Sequence, residues 1–345
     1  MNASSYVTAI HRKGLSIYDS IEVGDPNLWI PAAELEELLH NGLSGTSVKG
    51  LPIRTRSKRV KEKVCKTLGY QVPTSFKKEQ PRFPGQQFDV YVQKSNNLQI
   101  WNEQVAPSRR YVVVNVSQED VIDNVRVVTG ETLAELDTTG TLTGKYQARL
   151  DMGEQDGELI SQNDTAQLVP LLEEARNPAI FEAQPTDYAE VGSLLPIKAI
   201  FDRLEPLIGA SFLDPGFDQE RNRGTELHRR ICNALGYNSY QDDGRFPDIV
   251  HQLLEVKLQT SPTIDLGVAL PNNTDPLDIP KIRDVQPRYR DVRYAIFYGS
   301  TSGDEVTLSH LYVTTGKDFF SRFNQFGGKE LNQKIQIHLP DDFFD

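Results

Sequence analysis

The chain has 345 residues, a quarter of them charged, and a net charge of −11, so it is long enough for two domains and too acidic for indiscriminate binding to nucleic acid. No apolar run approaches the ~18 residues of a membrane span, and the N-terminus MNASSYVTAIHRKGLSIYD lacks the apolar core of a secretory signal. Two cysteines, Cys65 and Cys232, exclude a disulfide framework; the expected setting is a reducing cytoplasm, with no membrane partner.

Residues 27–40, NLWIPAAELEELLH, have the spacing of an amphipathic helix, with Gly42 and Gly45 as stops. A second helix is expected over 55–69, TRSKRVKEKVCKTLG, with Val60, Val64 and Leu68 on one stripe and basic residues on the rest. The runs FDVYVQ, YVVVNVS and VRVVTG then read as strands. From Asp151 to Glu190 there are 10 acids and 1 Arg, with Pro170, Pro178 and Pro185 interspersed, which suggests a connector. The expected division is an N-terminal region at 1–160, an acidic connector at 161–195 and a C-terminal domain at 196–345. That last part should hold helices near 198–209 and 222–235, a hairpin, a Pro/Asp-rich loop at 261–291 and the strands VRYAIFYG and VTLSHLYVT. A helix KDFFSRFNQF and a last strand KIQIHL complete it. Helices and strands in this order describe an α/β or α+β fold, a mixed β-sheet flanked by helices.

The two halves share a short echo. VCKTLGY (64–70) is followed by Arg82-Phe83-Pro84, and ICNALGY (231–237) by Arg245-Phe246-Pro247. Upstream, Arg56, Arg59 and Val60 align with Arg223, Glu226 and Leu227, and downstream Gly85 falls where the second half has Asp248. A decayed duplication would explain this, but helices ending in Leu-Gly are common, and coincidence is the favoured account at this level.

The chemically pointed stretch is RFPDIVHQLLEVKLQ, from Arg245 to Gln259. If 254–259 is a strand, Leu254, Val256 and Leu258 face the core, and Glu255, Lys257 and Gln259 share the other face. A tight turn near His251 would fold Asp248 back beside Glu255. Two carboxylates on a rigid hairpin, with the Val256 carbonyl as a further ligand, suit a hard divalent cation such as Mg²⁺. Such a cation activates a water and neutralises charge on a phosphoryl oxygen, while Lys257 and Gln259 orient water or phosphate. A solvated Glu-x-Lys face with a cross-strand salt bridge is the structural alternative.

Pro247-Asp248, Glu255-Val256-Lys257 and Gln259 together resemble the motif of the PD-(D/E)xK nuclease superfamily, and more narrowly of type II restriction endonucleases. The resemblance covers about residues 220–315. It implies a restriction-endonuclease-like core, Asp248 and Glu255 as metal ligands, Lys257 as the catalytic lysine, and Glu226 as an additional acid from the preceding helix. It further implies Mg²⁺-dependent hydrolysis of double-stranded DNA by in-line attack of water, in a bacterial cytoplasm, with a cognate methyltransferase as functional partner. A double-strand break in one encounter needs two such sites, so a homodimer is expected.

DNA contacts are expected from the basic stretch Lys49–Arg82, which holds 11 Lys/Arg against 2 acids. Arg54, Arg56, Lys58, Arg59, Lys61, Lys63, Lys77, Lys78 and Arg82 are its phosphate-contact candidates. Asn96 and Asn97, in a polar loop, are candidate base readers. A second candidate strip is KIRDVQPRYRDVR, with Lys281, Arg283, Arg288, Arg290 and Arg293. No zinc spacing, phosphate-cradling Gly-rich loop or nucleophile elbow is present. The readings that compete with restriction are a structure-specific or repair nuclease and a non-catalytic DNA-binding protein.

Overall fold

The computed structural model describes residues 3–77, 80–101, 105–137, 146–150, 156–172, 180–213, 220–302, 305–326 and 334–344. Its elements form a mixed α/β structure of the α+β kind, in two units. The first comprises Met1–Gly144, Leu277–Lys281 and Glu330–Asp345; the second comprises Lys145–Pro276 and Ile282–Lys329.

In the first unit, α1 (Ala3–Lys13), α2 (Ala32–Leu43) and α3 (Ile53–Thr67) precede β1 (Phe88–Gln93), β2 (Asn97–Trp101), β3 (Arg110–Val116), β4 (Ile122–Thr129) and α4 (Gly130–Leu136). Pro31 and Pro52 stand just before α2 and α3, where a missing N–H is harmless because the first amides of a helix have no intrahelical acceptor. β1 pairs parallel with β3, and β3 antiparallel with β4. Leu35, Leu39 and Leu43 of α2 and the expected stripe of Val60, Val64 and Leu68 join Phe88, Val112 and Val114 in one core.

The second unit runs β5 (Tyr146–Arg149), β6 (Gly157–Leu159), α5 (Val169–Leu172), α6 (Ile197–Leu204), β7 (Ser211–Leu213), α7 (Glu220–Leu235), β8 (Leu254–Gln259), β9 (Thr263–Gly267), β10 (Arg293–Ser302), β11 (Glu305–Thr315) and β12 (Asn324–Phe326). Its main sheet has the order β6-β11-β10-β8, with β7 also on β11. β8 is parallel to β10, and β10 antiparallel to β11. The stretch 161–195 lies inside this unit. There Asp164 is buried, accepting from Arg293 Nε at 2.5 Å and from the Ile197 amide at 2.8 Å. The expected loop 261–291 contains β9, which pairs with β5. The expected helix KDFFSRFNQF is only a 3₁₀ turn at Phe319–Ser321, because Asn324–Phe326 spends its backbone hydrogen bonds on β5 as β12. The last strand, β13 (Lys334–His338), belongs to the first unit and pairs antiparallel with β2.

The two units repeat one construction, contrary to the account favoured by sequence. α3 and α7 both end in Leu-Gly-Tyr, and the amides of Tyr70 and Tyr237 each donate to the carbonyl of the helix cysteine, Cys65 or Cys232, at 2.9 Å. A 3₁₀ turn follows in each, Pro84–Gln86 and Val250–Gln252, closed by a left-handed residue, Gln87 (φ 51°) or Leu253 (φ 47°). The paired residues Phe83 and Phe88 bracket the first turn, Ile249 and Leu254 the second. A buried glutamine inside the turn, Gln86 or Gln252, accepts from the amide just before the Pro of the earlier helix, Ile30 at 3.1 Å or Leu195 at 2.8 Å. A fully buried arginine opens the next strand. Arg110 donates to the Ile30 carbonyl and pairs with Asp278; Arg293 donates to the Leu195 carbonyl and pairs with Asp164. These matched contacts correct the sequence alignment: Pro81, not Pro84, corresponds to Pro247, and Arg82, not Gly85, to Asp248. The three-residue slip arose because both alignments place a proline on a proline.

Candidate active site

The hairpin that carries the acids forms because each of its backbone choices is tied to burial. Leu254, Val256 and Leu258 enter the core shared with Leu227, Ile231 and Leu235 of α7. That commitment turns Glu255, Lys257 and Gln259 to the opposite face, since successive strand side chains alternate. They stand in register beside Tyr294, Ile296 and Tyr298 of β10. The 3₁₀ turn and left-handed Leu253 reverse the chain within four residues, so Ile249 pairs with Leu254 and Asp248 lies opposite Glu255.

The hairpin brings the acids and the lysine together. The Asp248 amide donates to Glu255 Oε2 at 3.2 Å, and the Val256 amide donates to Asp248 Oδ2 at 2.8 Å. Lys257 Nζ lies 2.6 Å from Glu255 Oε1. The Glu255 side chain is 1% exposed and that of Lys257 20%, while Asp248 is half-buried, so the constellation is walled on one side and open on the other. Gln259 is half-buried at the end of the same strand face.

Glu226 is not brought to this pair. Its carboxylate is held by Arg229 at 2.7 and 2.8 Å and by Arg230 at 2.8 Å, neighbours on its own helix that hold its pKa below the usual carboxylate value. The α7 residue that faces the acids is His228, which sequence reasoning passed over. It is 5% exposed, lies 3.4 Å from Cys232 Sγ, and feels the Glu255 charge. Burial lowers its pKa, against Asp242, a hydrogen bond to the Gln241 backbone and Glu255, all of which raise it. The detectable signal was its position: one turn before Cys232, on the buried side of the helix, whereas Glu226 lies on the solvent side.

Among the described residues, no group of three or more His, Cys, Asp or Glu side chains is arranged to hold a metal. The site offers two carboxylates. With His228 neutral, their two negative charges against one Lys257 ammonium leave a net charge of −1 in a partly desolvated setting. Two hard oxygen donors and an excess negative charge fit Mg²⁺, which keeps much of its water and binds through one or two carboxylates.

The expected DNA contacts fall in several environments. Val60 and Val64 bury the inner face of α3, leaving Lys58, Arg59 and Lys63 exposed; the first two lie 3.8 and 3.9 Å from Glu62. Arg56 is committed to Asp120 at 2.8 Å. Lys77 Nζ sits 4.5 Å over the Tyr18 ring, and Arg82 donates to the Lys77 carbonyl. Lys61 is half-buried and feels the charges of Arg82 and Asp89. Lys78 and the side chain of Arg54 fall outside the described residues. The loop expected to enter a groove with Asn96 and Asn97 is instead the start of β2. Asn97 pairs with His338, and Asn96 donates to Asp341 at 3.1 Å. Lys281 pairs with Glu22 at 2.8 Å, and Arg283 is exposed at a left-handed position (φ 56°). Arg288 donates to the Thr274 carbonyl, and Arg288, Arg290 and Lys317 line a cavity of about 430 Å³.

No protein-family model matches the chain, no curated protein matches it, and no solved structure matches it. The fold defines a mixed α/β protein of two units. No described helix is long and apolar enough to cross a membrane.

Proposed function

We propose that the second unit is a Mg²⁺-dependent nuclease of the PD-(D/E)xK kind, a type II restriction endonuclease that cuts double-stranded DNA at a fixed sequence. The observation that supports it is the interlocked hairpin: Asp248 and Glu255 hold each other's strands through backbone amides, with the Lys257 ammonium 2.6 Å from Glu255. Asp248 and Glu255 would hold the ion, with the Val256 carbonyl as an added ligand by the same resemblance. Bound there, Mg²⁺ supplies a water of lowered pKa and charge neutralisation at the phosphoryl group. Lys257 offsets the charge of buried Glu255 and presents donors towards the open side, where a scissile phosphate is stabilised. Tyr294, Ile296 and Tyr298 limit solvent on the flank and strengthen these interactions. Arg288, Arg290 and Lys317 are phosphate contacts from the same unit, and Lys58, Arg59 and Lys63 from the first.

Homodimerisation, a cognate methyltransferase and a bacterial cytoplasm belong to the same proposal. Incubating the purified protein with phage DNA and Mg²⁺ tests it. Discrete bands that vanish in EDTA support site-specific cleavage. A smear, or cutting confined to junctions, overturns restriction in favour of a repair nuclease, and intact DNA overturns the enzymatic reading.

A further inference from the structure

The repeat places a second copy of the candidate site in the first unit, with the sign of its net charge inverted. Arg82 stands where the second unit has Asp248, Asp89 where it has Glu255, Tyr91 where it has Lys257, and Lys61 where it has His228. The backbone construction is kept: the Arg82 amide donates to Asp89 Oδ1 at 3.0 Å, as the Asp248 amide does to Glu255. The side chains are not. Arg109 Nη1 lies 3.7 Å from Asp89 Oδ2. Lys61, Arg82 and Arg109 against Asp89 make a net charge of +2, where the second unit has −1. Asp89 is 4% exposed, and its Oδ2 atom is buried with no hydrogen-bond partner among the described residues. Farther along the same strand face, both polar atoms of the Gln93 amide are likewise buried without partners. Native proteins rarely leave such groups unsatisfied; a phosphodiester, which only accepts hydrogen bonds, can complete the Gln93 Nε2 donor, whereas the Asp89 and Gln93 oxygens call for a donor such as water or an arginine N–H.

We propose that this inverted site binds a DNA phosphodiester directly, without a metal ion and without cleaving it. In the second unit, two carboxylates repel a phosphate unless a cation intervenes. In the first, the charges of Arg109, Arg82 and Lys61 all act on Asp89 and outweigh it, so a phosphate needs no added cation. Arg groups recognise phosphate through paired N–H donors. Lys61, Arg82 and Arg109 are partly exposed, so a backbone phosphate can reach them. Burial and Arg82 lower the Lys61 pKa, an electrostatic cost that an incoming anion relieves. Tyr91 leaves no ammonium at the strand position that Lys257 holds in the second unit. The proposal rests on the nuclease reading only in taking DNA as the ligand.

The test measures binding of the full-length protein to a short duplex in EDTA, as a function of salt, so cleavage plays no part. Lys61→Gln combined with Arg82→Gln is expected to weaken binding at least about tenfold and to make the salt slope shallower by about two, one per lost phosphate contact. Asp89→Asn keeps an acceptor for the Arg82 amide and removes the negative charge, so it should tighten binding several-fold, which misfolding would not do. Unchanged affinity and slope in both variants overturn the proposal. Absence of Mg²⁺-dependent cutting by the parent protein, with these EDTA effects intact, would instead count against the nuclease reading alone.

Discussion

Lys257→Met isolates the ion pair at the centre of the site. The substitution keeps the length and apolar stem of the side chain and removes the ammonium 2.6 Å from a carboxylate that is 1% exposed. Removing one partner of a fully buried pair costs about 3–5 kcal/mol, because the remaining charge is left uncompensated. Two features of the site reduce that figure: Lys257 keeps part of its side chain in water, and Glu255 retains the Asp248 amide as a donor at 3.2 Å. The expected loss is therefore roughly 2–3 kcal/mol. At 2–4 °C per kcal/mol for a unit of this size, the melting point should fall by about 4–12 °C. Glu255→Gln in the same background removes the stranded charge and keeps an acceptor for Asp248, so the double variant should recover to within about 1 kcal/mol of the parent. Urea and thermal unfolding of the parent, both single variants and the double variant give the coupling directly. A Lys257→Met variant within about 0.5 kcal/mol of the parent, or a double variant as unstable as the sum of the singles, would refute the argument that a desolvated pair organises the hairpin.

Other consequences are open to simple measurements. Arg293→Met should destabilise the chain by about 3–5 kcal/mol in urea, since it strands buried Asp164 and leaves the Gln252 and Leu195 carbonyls without a donor; a change under about 1 kcal/mol would contradict it. His228 and His251 both have pKa values lowered by burial from an ordinary 6.5. The unfolded chain therefore binds more protons just below that pH, and stability present above it should be lost as pH falls through the lowered values. In His228→Gln with His251→Gln the acid-side slope should flatten, and an unchanged slope would assign the loss to other groups. Glu226→Gln should leave Mg²⁺-dependent cleavage within a few-fold of the parent, because its carboxylate is engaged by Arg229 and Arg230; abolished cleavage with normal folding would restore it to the site.

The hairpin was legible because a two-residue period and a seven-residue gap leave few ways to bury Leu254, Val256 and Leu258 without gathering Asp248, Glu255 and Lys257. The stripe on α3 was legible for the same reason at helical period. Residue type alone points to Glu226, but helix phase decides: Leu227 and Ile231 are buried, which turns Glu226 outward and His228 inward. The repeat was visible only as VCKTLGY and ICNALGY. Its stronger marks are contacts made by isolated side chains, Gln86 with Ile30 and Arg110 with Asp278, whose partners are separated by 56 and 168 positions. No local pattern announces such pairs. Gly130 and Gly316 carry the same lesson. Each follows the antiparallel strand, β4 or β11, and a Cβ there would meet a loop carbonyl at 2.0 or 2.3 Å, a restriction that only the folded backbone reveals. Residues 317–326 failed as a helix because a strand partner, β5, lay far away in sequence.

The most direct test of the proposed chemistry compares the parent protein with Asp248→Asn on the same DNA. Asparagine keeps an oxygen to accept the Val256 amide, so the hairpin should persist while the second negative charge is gone. The expected result is unchanged DNA binding in EDTA, an unchanged melting point to within a few degrees, and Mg²⁺-dependent cleavage reduced by at least about a thousandfold, the scale of a charge interaction of about 4 kcal/mol at contact distance. Cleavage by Asp248→Asn at the parent rate would contradict it.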